Sequence, residues 1–280
     1  MREIYKEGTP PKSVRFLYKS KIGAPLLRLL TCRFVSRLAG KYLDSRMSRR
    51  KIKGYVKRHS INVAEYEKKD YRSFNEFFTR KILPECRPFD ETPQAFVSPC
   101  DCKLTVFPIA EKSEFTVKGF RYTVGSLLKN DELAEKYRGG VAVICRLSVC
   151  DYHRYHYLDD GEKGENVSIK GRYHTVQPVA LERRRVFAEN SREYTVLHTA
   201  HFGDVTQVEV GAMMVGRIVN NHGAHRFSRG EEKGRFEFGG STIVLLVEKD
   251  KVVFDEELYT NTENGFETAV KCGERIGTAI

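Results

Sequence analysis

The sequence predicts an α+β protein, with a helical, basic N-terminal segment over residues 1–90 followed by a β-rich, mostly antiparallel domain over residues 91–280. Three observations carry this prediction. Charge is concentrated at the front, where residues 1–60 hold 17 Lys and Arg against 3 Asp and Glu, while residues 61–280 hold 31 against 34. Apolar residues in the front recur at helical intervals. After Pro88 they come in short β-branched and aromatic runs punctuated by Gly, Asp and Asn.

In chain order, residues 1–25 carry Pro10, Pro11, Gly23 and Pro25 and read as loops with one short helix. From Leu26 onward, Leu27, Leu30, Phe34, Leu38 and Tyr42 fall on one helical face with Arg33, Arg37 and Lys41 flanking it, a basic amphipathic helix. A second helix is expected over 48–58, around the cluster Arg49, Arg50, Lys51 and Lys53. A third is expected over 73–82, where Ser73 and Glu76 form a capping box ahead of Phe77 and Phe78, and Pro84 marks its end. Strands are expected over 104–107, 115–117, 140–147, 193–198, 205–210, 215–219, 243–247 and 252–254. The run Phe236-Glu237-Phe238-Gly239-Gly240-Ser241-Thr242 leads into the last long apolar stretch and reads as two strands meeting at a Gly-Gly turn, a β-hairpin.

Composition excludes several classes. The best apolar stretch, 26–43, is broken by Arg28, Arg33, Arg37 and Lys41, so no helix spans a bilayer. Seven cysteines, at 32, 86, 100, 102, 145, 150 and 272, form an odd set without disulfide-framework spacing, and no signal-peptide pattern opens the chain. A reducing, cytoplasmic setting follows. Because the basic excess sits in one segment over a nearly neutral remainder, it argues against nucleic acid and for one element that meets an anionic surface. A basic amphipathic helix can lie in a bilayer interface, gaining about 1 kcal/mol per basic residue near anionic headgroups. Leu30, Arg33, Phe34, Arg37, Leu38 and Lys41 are the candidate docking face; the alternative is that the apolar side packs on the protein's own core.

Three stretches could carry chemistry. Residues 146–156 gather Asp151, Tyr152, His153, His156 and two arginines after an expected strand. Imidazoles are suited to proton transfer near neutral pH, and a nearby carboxylate can fix the tautomer. Proton transfer is favoured over metal because no recognisable third-ligand spacing accompanies the histidines. Ser98-Pro99-Cys100-Asp101-Cys102-Lys103 reads as a turn, and a single C-x-C without a second pair predicts no metal site. Val210-Gly211-Ala212-Met213-Met214-Val215-Gly216 reads as small residues at strand ends.

The order of these pieces is more specific than any one of them. Ser73-Phe74-Asn75-Glu76-Phe77-Phe78-Thr79-Arg80 with Arg87-Pro88, Ser98-Pro99-Cys100-Asp101, Asp151 to His156, Thr175-Val176-Gln177-Pro178, Val210-Gly211-Ala212 and Phe238-Gly239-Gly240-Ser241-Thr242 together resemble the phosphatidylserine decarboxylase family. Gly-Gly-Ser-Thr resembles the variant in which glycine replaces the leucine of Leu-Gly-Ser-Thr. The resemblance implies a proenzyme in which Ser241 attacks the Gly240 carbonyl and the chain separates into residues 1–240 and 241–280, with Ser241 converted to a pyruvoyl group. It implies Asp101 and His156 as orienter and base for Ser241. His153 would be the acid of the decarboxylation, supported by Asp151 and Tyr152. The pyruvoyl carbonyl would form a Schiff base with phosphatidylserine and act as electron sink, releasing carbon dioxide and leaving phosphatidylethanolamine. Family analogy adds a homodimer, with the enzyme peripheral on the cytoplasmic face of the cell membrane. The chain departs from the family's Ser-Pro-Ala-Asp-Gly at Cys100-Asp101-Cys102, which lacks the glycine after the aspartate. Two further readings stand beside this one: a pyruvoyl-dependent decarboxylase of a soluble amino acid such as tryptophan, and a non-enzymatic peripheral membrane-binding protein.

Overall fold

Ser241–Val247, Ser-Thr-Ile-Val-Leu-Leu-Val, is buried at every position, as expected of a strand covered on both faces. It is the middle strand of the main antiparallel sheet in the computed structural model, which describes residues 2–6, 12–20, 22–117, 119–212, 217–237 and 241–280. The sheet runs Ile4–Tyr5, Glu267–Val270, Cys102–Pro108, Val141–Leu147, Ser241–Val247, Asp204–Val210, Arg192–Thr199, Gly161–Lys163 and His225–Phe227, with Val167–Ile169 also paired to Arg192–Thr199. Alternation sends Ile243, Leu245 and Val247 into one apolar cluster, under a small sheet of Val252–Phe254, Arg275–Ala279 and Ala95–Val97. Val244 and Leu246 enter a second cluster on the opposite face with Phe115, Tyr122 and Leu127. The architecture is α+β, as the composition change at Pro88 predicts.

The expected β-hairpin at Gly239-Gly240 does not form. Glu232–Phe236 pairs with Ile218–Asn220 and Arg154–His156 in a separate three-stranded sheet. Ser241–Val247 has both edges filled by Val141–Leu147 and Asp204–Val210, so its preceding strand has no edge to occupy. Glu232–Phe236 and Ser241–Val247 therefore belong to two different sheets. Gly240 itself, the Gly-Gly turn and residues 213–216 lie outside the described residues. The strand expected over 215–219 is described only as Ile218–Asn220.

The front is helical in shorter pieces than its periodicity predicts. The long amphipathic helix is two, Gly23–Leu30 and Arg33–Asp44. They part at Thr31, which is buried and whose carbonyl accepts the Tyr173 N–H at 3.2 Å, and at Cys32, whose backbone is extended. The second helix is a 3-10 turn Arg46–Arg50 running into Lys51–Arg58. The third is only Phe74–Phe78; Ser73 Oγ accepts the Glu76 N–H at 3.1 Å, but the Glu76 carboxylate takes the Arg72 N–H and Lys68, so the capping box is half formed. It stops well before Pro84 because Arg80 turns inward and is buried. Leu43, Tyr71, Phe74, Phe77 and Phe78 make the core of this front. The composition boundary near residue 90 is not a boundary in the sheet, since Ile4–Tyr5 pairs with Glu267–Val270 and Arg2 bridges Asp255, Glu257 and Glu274.

Candidate active site

Antiparallel register brings five chain segments to one end of the main sheet. Lys103, Arg146, Thr242 and Val210 lie in one row across four neighbouring strands. At that end Asp101 precedes Cys102–Pro108, the 148–156 loop follows Val141–Leu147, Ser241 opens its strand, Gly211 follows Asp204–Val210, and Cys272 follows Glu267–Val270. Residues scattered over the chain thus meet because each sits just outside a strand that the hydrophobic pattern places.

Ser241 is fully buried opposite Leu147, and its Oγ has no hydrogen-bond partner among the described residues. A buried hydroxyl left unpaired costs roughly 1–3 kcal/mol, so the position is held by its surroundings. Asp101 is also buried. Its carboxylate receives Arg87 Nε at 2.8 Å, Arg87 Nη2 at 2.7 Å and the Cys272 N–H at 2.8 Å. Burial opposes the Arg87 charge, but Asp101 outweighs it and raises the guanidinium pKa. Gly273 makes the Cys272 turn possible: its φ is +81°, and a Cβ there would lie 2.6 Å from the Pro88 carbonyl.

His156 sits on the other side of Cys272, its Nδ1 3.3 Å from Sγ, and its backbone N–H donates to Pro99 at 2.9 Å. Burial lowers its pKa to about 4, with the Glu232 and Asp101 charges acting the other way, so the imidazole is neutral at pH 7. No direct hydrogen bond joins Asp101, His156 and Ser241 among the described residues; Cys272 links the first two.

His153 is buried against the Phe78 ring at 4.1 Å, with Nδ1 2.9 Å from the Asp151 carbonyl. Its own carbonyl accepts the Phe236 N–H at 2.9 Å, which ties the strand leading toward Ser241 to this loop. Asp151 is engaged by Lys103 Nζ at 2.6 Å and by the Ser148 N–H at 2.7 Å, so it shapes the loop. Tyr152 is buried with its ring stacked 6.0 Å from His156, and burial pushes its phenol up.

The expected set omits Arg87, Arg80, Phe78 and Cys272. Arg80 donates to the Cys150 carbonyl at 3.1 Å and the Asp151 carbonyl at 3.3 Å, holding the histidine loop from the helical front. Its place in the Phe-Phe-Thr-Arg stretch was visible, but nothing local said that the guanidinium turns inward. Beyond Ser241, Glu209 pairs in register with Ile243 and holds a fully buried salt bridge to Lys233 at 2.7 Å; Asn220 and Gln207 complete the network. A pocket of about 560 Å³ lies between the Arg33–Asp44 helix and the sheet, lined among others by Arg37, Lys41, Glu193, Arg217 and Glu237. Glu237, which lines it, is the last described residue before Ser241.

Of the expected docking face, Phe34, Arg37, Leu38 and Lys41 are exposed and Leu30 is half-buried; the Arg33 side chain lies outside what is described. Among the described residues no helix is long and apolar enough to cross a membrane.

Fold and site together describe an α+β protein with a buried serine at the head of the middle strand of its main sheet. The sequence matches the family described as phosphatidylserine decarboxylase over residues 74–278. It is 42% identical over 279 residues to a phosphatidylserine decarboxylase proenzyme 2 of Clostridium acetobutylicum, covering 99% of this chain and 96% of that protein. A phosphatidylserine decarboxylase proenzyme of Clostridium novyi is 42% identical over 95% of this chain and 92% of its own length, and one of Fusobacterium nucleatum 40% identical over 95% and 90%. The chain belongs to the phosphatidylserine decarboxylase family and is a decarboxylase, a carboxy-lyase.

Proposed function

We propose that this chain is a proenzyme that cuts itself between Gly240 and Ser241 and then decarboxylates phosphatidylserine to phosphatidylethanolamine at a membrane surface. The observation that carries the reading is the buried, unengaged Ser241 hydroxyl at the sheet end where Asp101 and the histidine loop meet. An orphaned hydroxyl in that position fits a residue consumed in making a prosthetic group. Ser241 Oγ attacks the carbonyl of Gly240 while His156, neutral at working pH, takes its proton; the amide becomes an ester. Asp101, fixed by Arg87, acts on His156 by its charge and through Cys272. Loss of the Ser241 α-proton with cleavage of the Cβ–Oγ bond frees residues 1–240 with a C-terminal carboxylate and leaves dehydroalanine at the head of 241–280, which takes up water and releases ammonia to become the pyruvoyl group.

The residues left at the site suit a pyruvoyl group derived from Ser241, which supplies a carbonyl that draws electrons from the bond to the departing carboxylate. His153, held by Phe78 and Asp151, is the proton donor to the carbon that loses carbon dioxide. Residues 1–90 serve as the docking segment and 91–280 as the catalytic part. The pocket beside Arg37 and Lys41, whose lining mixes these cations with Glu193 and an Arg217–Glu237 pair, supports a headgroup that carries both charges approaching from the side of the amphipathic helix.

Mass spectrometry of purified protein is expected to give a 241–280 fragment that begins with pyruvoyl, and Ser241→Ala a single full-length chain. A wild-type chain that stays whole and is unaltered by Ser241→Ala sinks the reading. His156→Ala is expected to block fragment formation. His153→Ala is expected to allow it while lowering turnover by roughly 10²- to 10⁴-fold, the usual contribution of a positioned acid.

A further inference from the structure

Cys100 and Cys102 flank Asp101, and the fold adds a third thiol to them. Leu104 is the cross-strand partner of Cys145, which sets Cys145 diagonally across from Cys102 on the same face of the sheet. Cys100 reaches the same place because the 98–102 bend is pinned by Ser98 Oγ donating to the Cys100 carbonyl at 2.8 Å. All three side chains are buried, and their Sγ atoms lie within 4.8 Å of one another. We propose that Cys100, Cys102 and Cys145 form a closed, all-sulfur site for a thiophilic cation that accepts three-coordinate ligation, Cu(I) being the case that fits best.

The choice of ion follows from the ligands. Thiolates select soft ions, and the absence of any imidazole or carboxylate in this cluster disfavours hard ones. Three sulfurs each about 2.3 Å from one ion stand about 4 Å apart, inside the 4.8 Å within which these three Sγ atoms lie. Zinc would call for a fourth ligand; Ser98 Oγ, 3.9 Å from Cys102 Sγ, already donates to the Cys100 carbonyl. An ion here would staple the Asp101 bend to the Val141–Leu147 strand. Because the site is sealed, loading accompanies folding.

The test uses the full-length chain, produced with copper present under anaerobic conditions and separately refolded with Cu(I) supplied as its acetonitrile complex. The expected result is one copper per chain retained against bicinchoninate, with an X-ray absorption shell of three sulfurs. Cys145→Ser should weaken retention by at least about 100-fold, the top of the range seen when mere supporting residues are removed. Cys86→Ser and Cys150→Ser should leave retention unchanged. Circular dichroism checks that Cys145→Ser folds; if it does not, Cys100→Ala and Cys102→Ala make the same comparison. Copper surrendered by the wild-type chain, a shell containing nitrogen or oxygen, or retention that survives loss of a cluster cysteine overturns the proposal.

Discussion

The Asp101 carboxylate is fixed by two groups the sequence did not pair with it, and that makes Arg87 as consequential as any catalytic residue. Arg87→Ala leaves a buried carboxylate without its cation, a change that costs about 3–5 kcal/mol in comparable buried pairs. Arg87→Lys keeps the charge but loses the two-pronged contact and should fall between. Thermal unfolding of both variants in the Ser241→Ala background separates this stability loss from any effect on self-cleavage. The histidines set a second expectation. Burial lowers His156 and His174 to about 4, below the ordinary histidine value, so the unfolded chain takes up protons that the folded chain refuses. Their contribution to stability is complete above about pH 6.5 and is lost as pH falls toward 4, at ~1.4 kcal/mol per pH unit for each group. Melting temperatures of the Ser241→Ala protein between pH 7 and 4.5 should drop accordingly, and His174→Gln should flatten the slope. A wild-type slope unchanged by that substitution would place the protons elsewhere.

Among the elements, the strands with long apolar runs were legible. Cys102–Pro108, Val141–Leu147, Asp204–Val210 and Ser241–Val247 all fall where the pattern puts them, the first because its burial alternates and the other three because burial on both faces puts apolar or β-branched residues on each. Glu232–Phe236 did not, since Glu-Lys-Gly-Arg-Phe carries no alternating apolar face and Lys233 is buried only because Glu209 meets it from a distant strand. The hairpin failed for a related reason: a Gly-Gly pair signals a change of direction but not which strands flank it in space. The site divides the same way. Ser241, His153 and His156 could be singled out from sequence, whereas Arg80, Arg87 and Cys272 gain their roles only from strand register. The Lys233–Glu209 pair offers a test at this scale. Lys233→Met alone should destabilise by about 3–5 kcal/mol, while Lys233→Met with Glu209→Leu should recover most of that loss. Chemical denaturation of the single and double variants decides it; an additive double variant would mean that the pair does not act as a unit.

At the level of the whole molecule, charge and apolar exposure coincide on one side. Phe34 and Leu38 are 68% and 51% exposed on the helix that also carries Arg37 and Lys41, although the body of the protein buries its large apolar residues well. Exposed apolar side chains grouped beside cations are the surface expected of a segment that rests in a lipid interface. The pocket opens beneath this same helix and is lined on its far side by Arg217 and Glu237. Phe34→Ser with Leu38→Ser should leave the melting temperature unchanged, because neither side chain packs in the folded core. Each half-exposed side chain contributes ~1 kcal/mol when its remaining surface is buried in lipid, so together they should weaken sedimentation with phosphatidylserine vesicles by roughly 30-fold. Raising salt should weaken it further, since the cations act through a screened field. Activity on a short-chain, water-soluble phosphatidylserine should be retained in the double variant. Equal loss on soluble and vesicle substrate would move Phe34 and Leu38 from docking to the catalytic pocket, and undiminished vesicle binding would remove the helix from docking altogether.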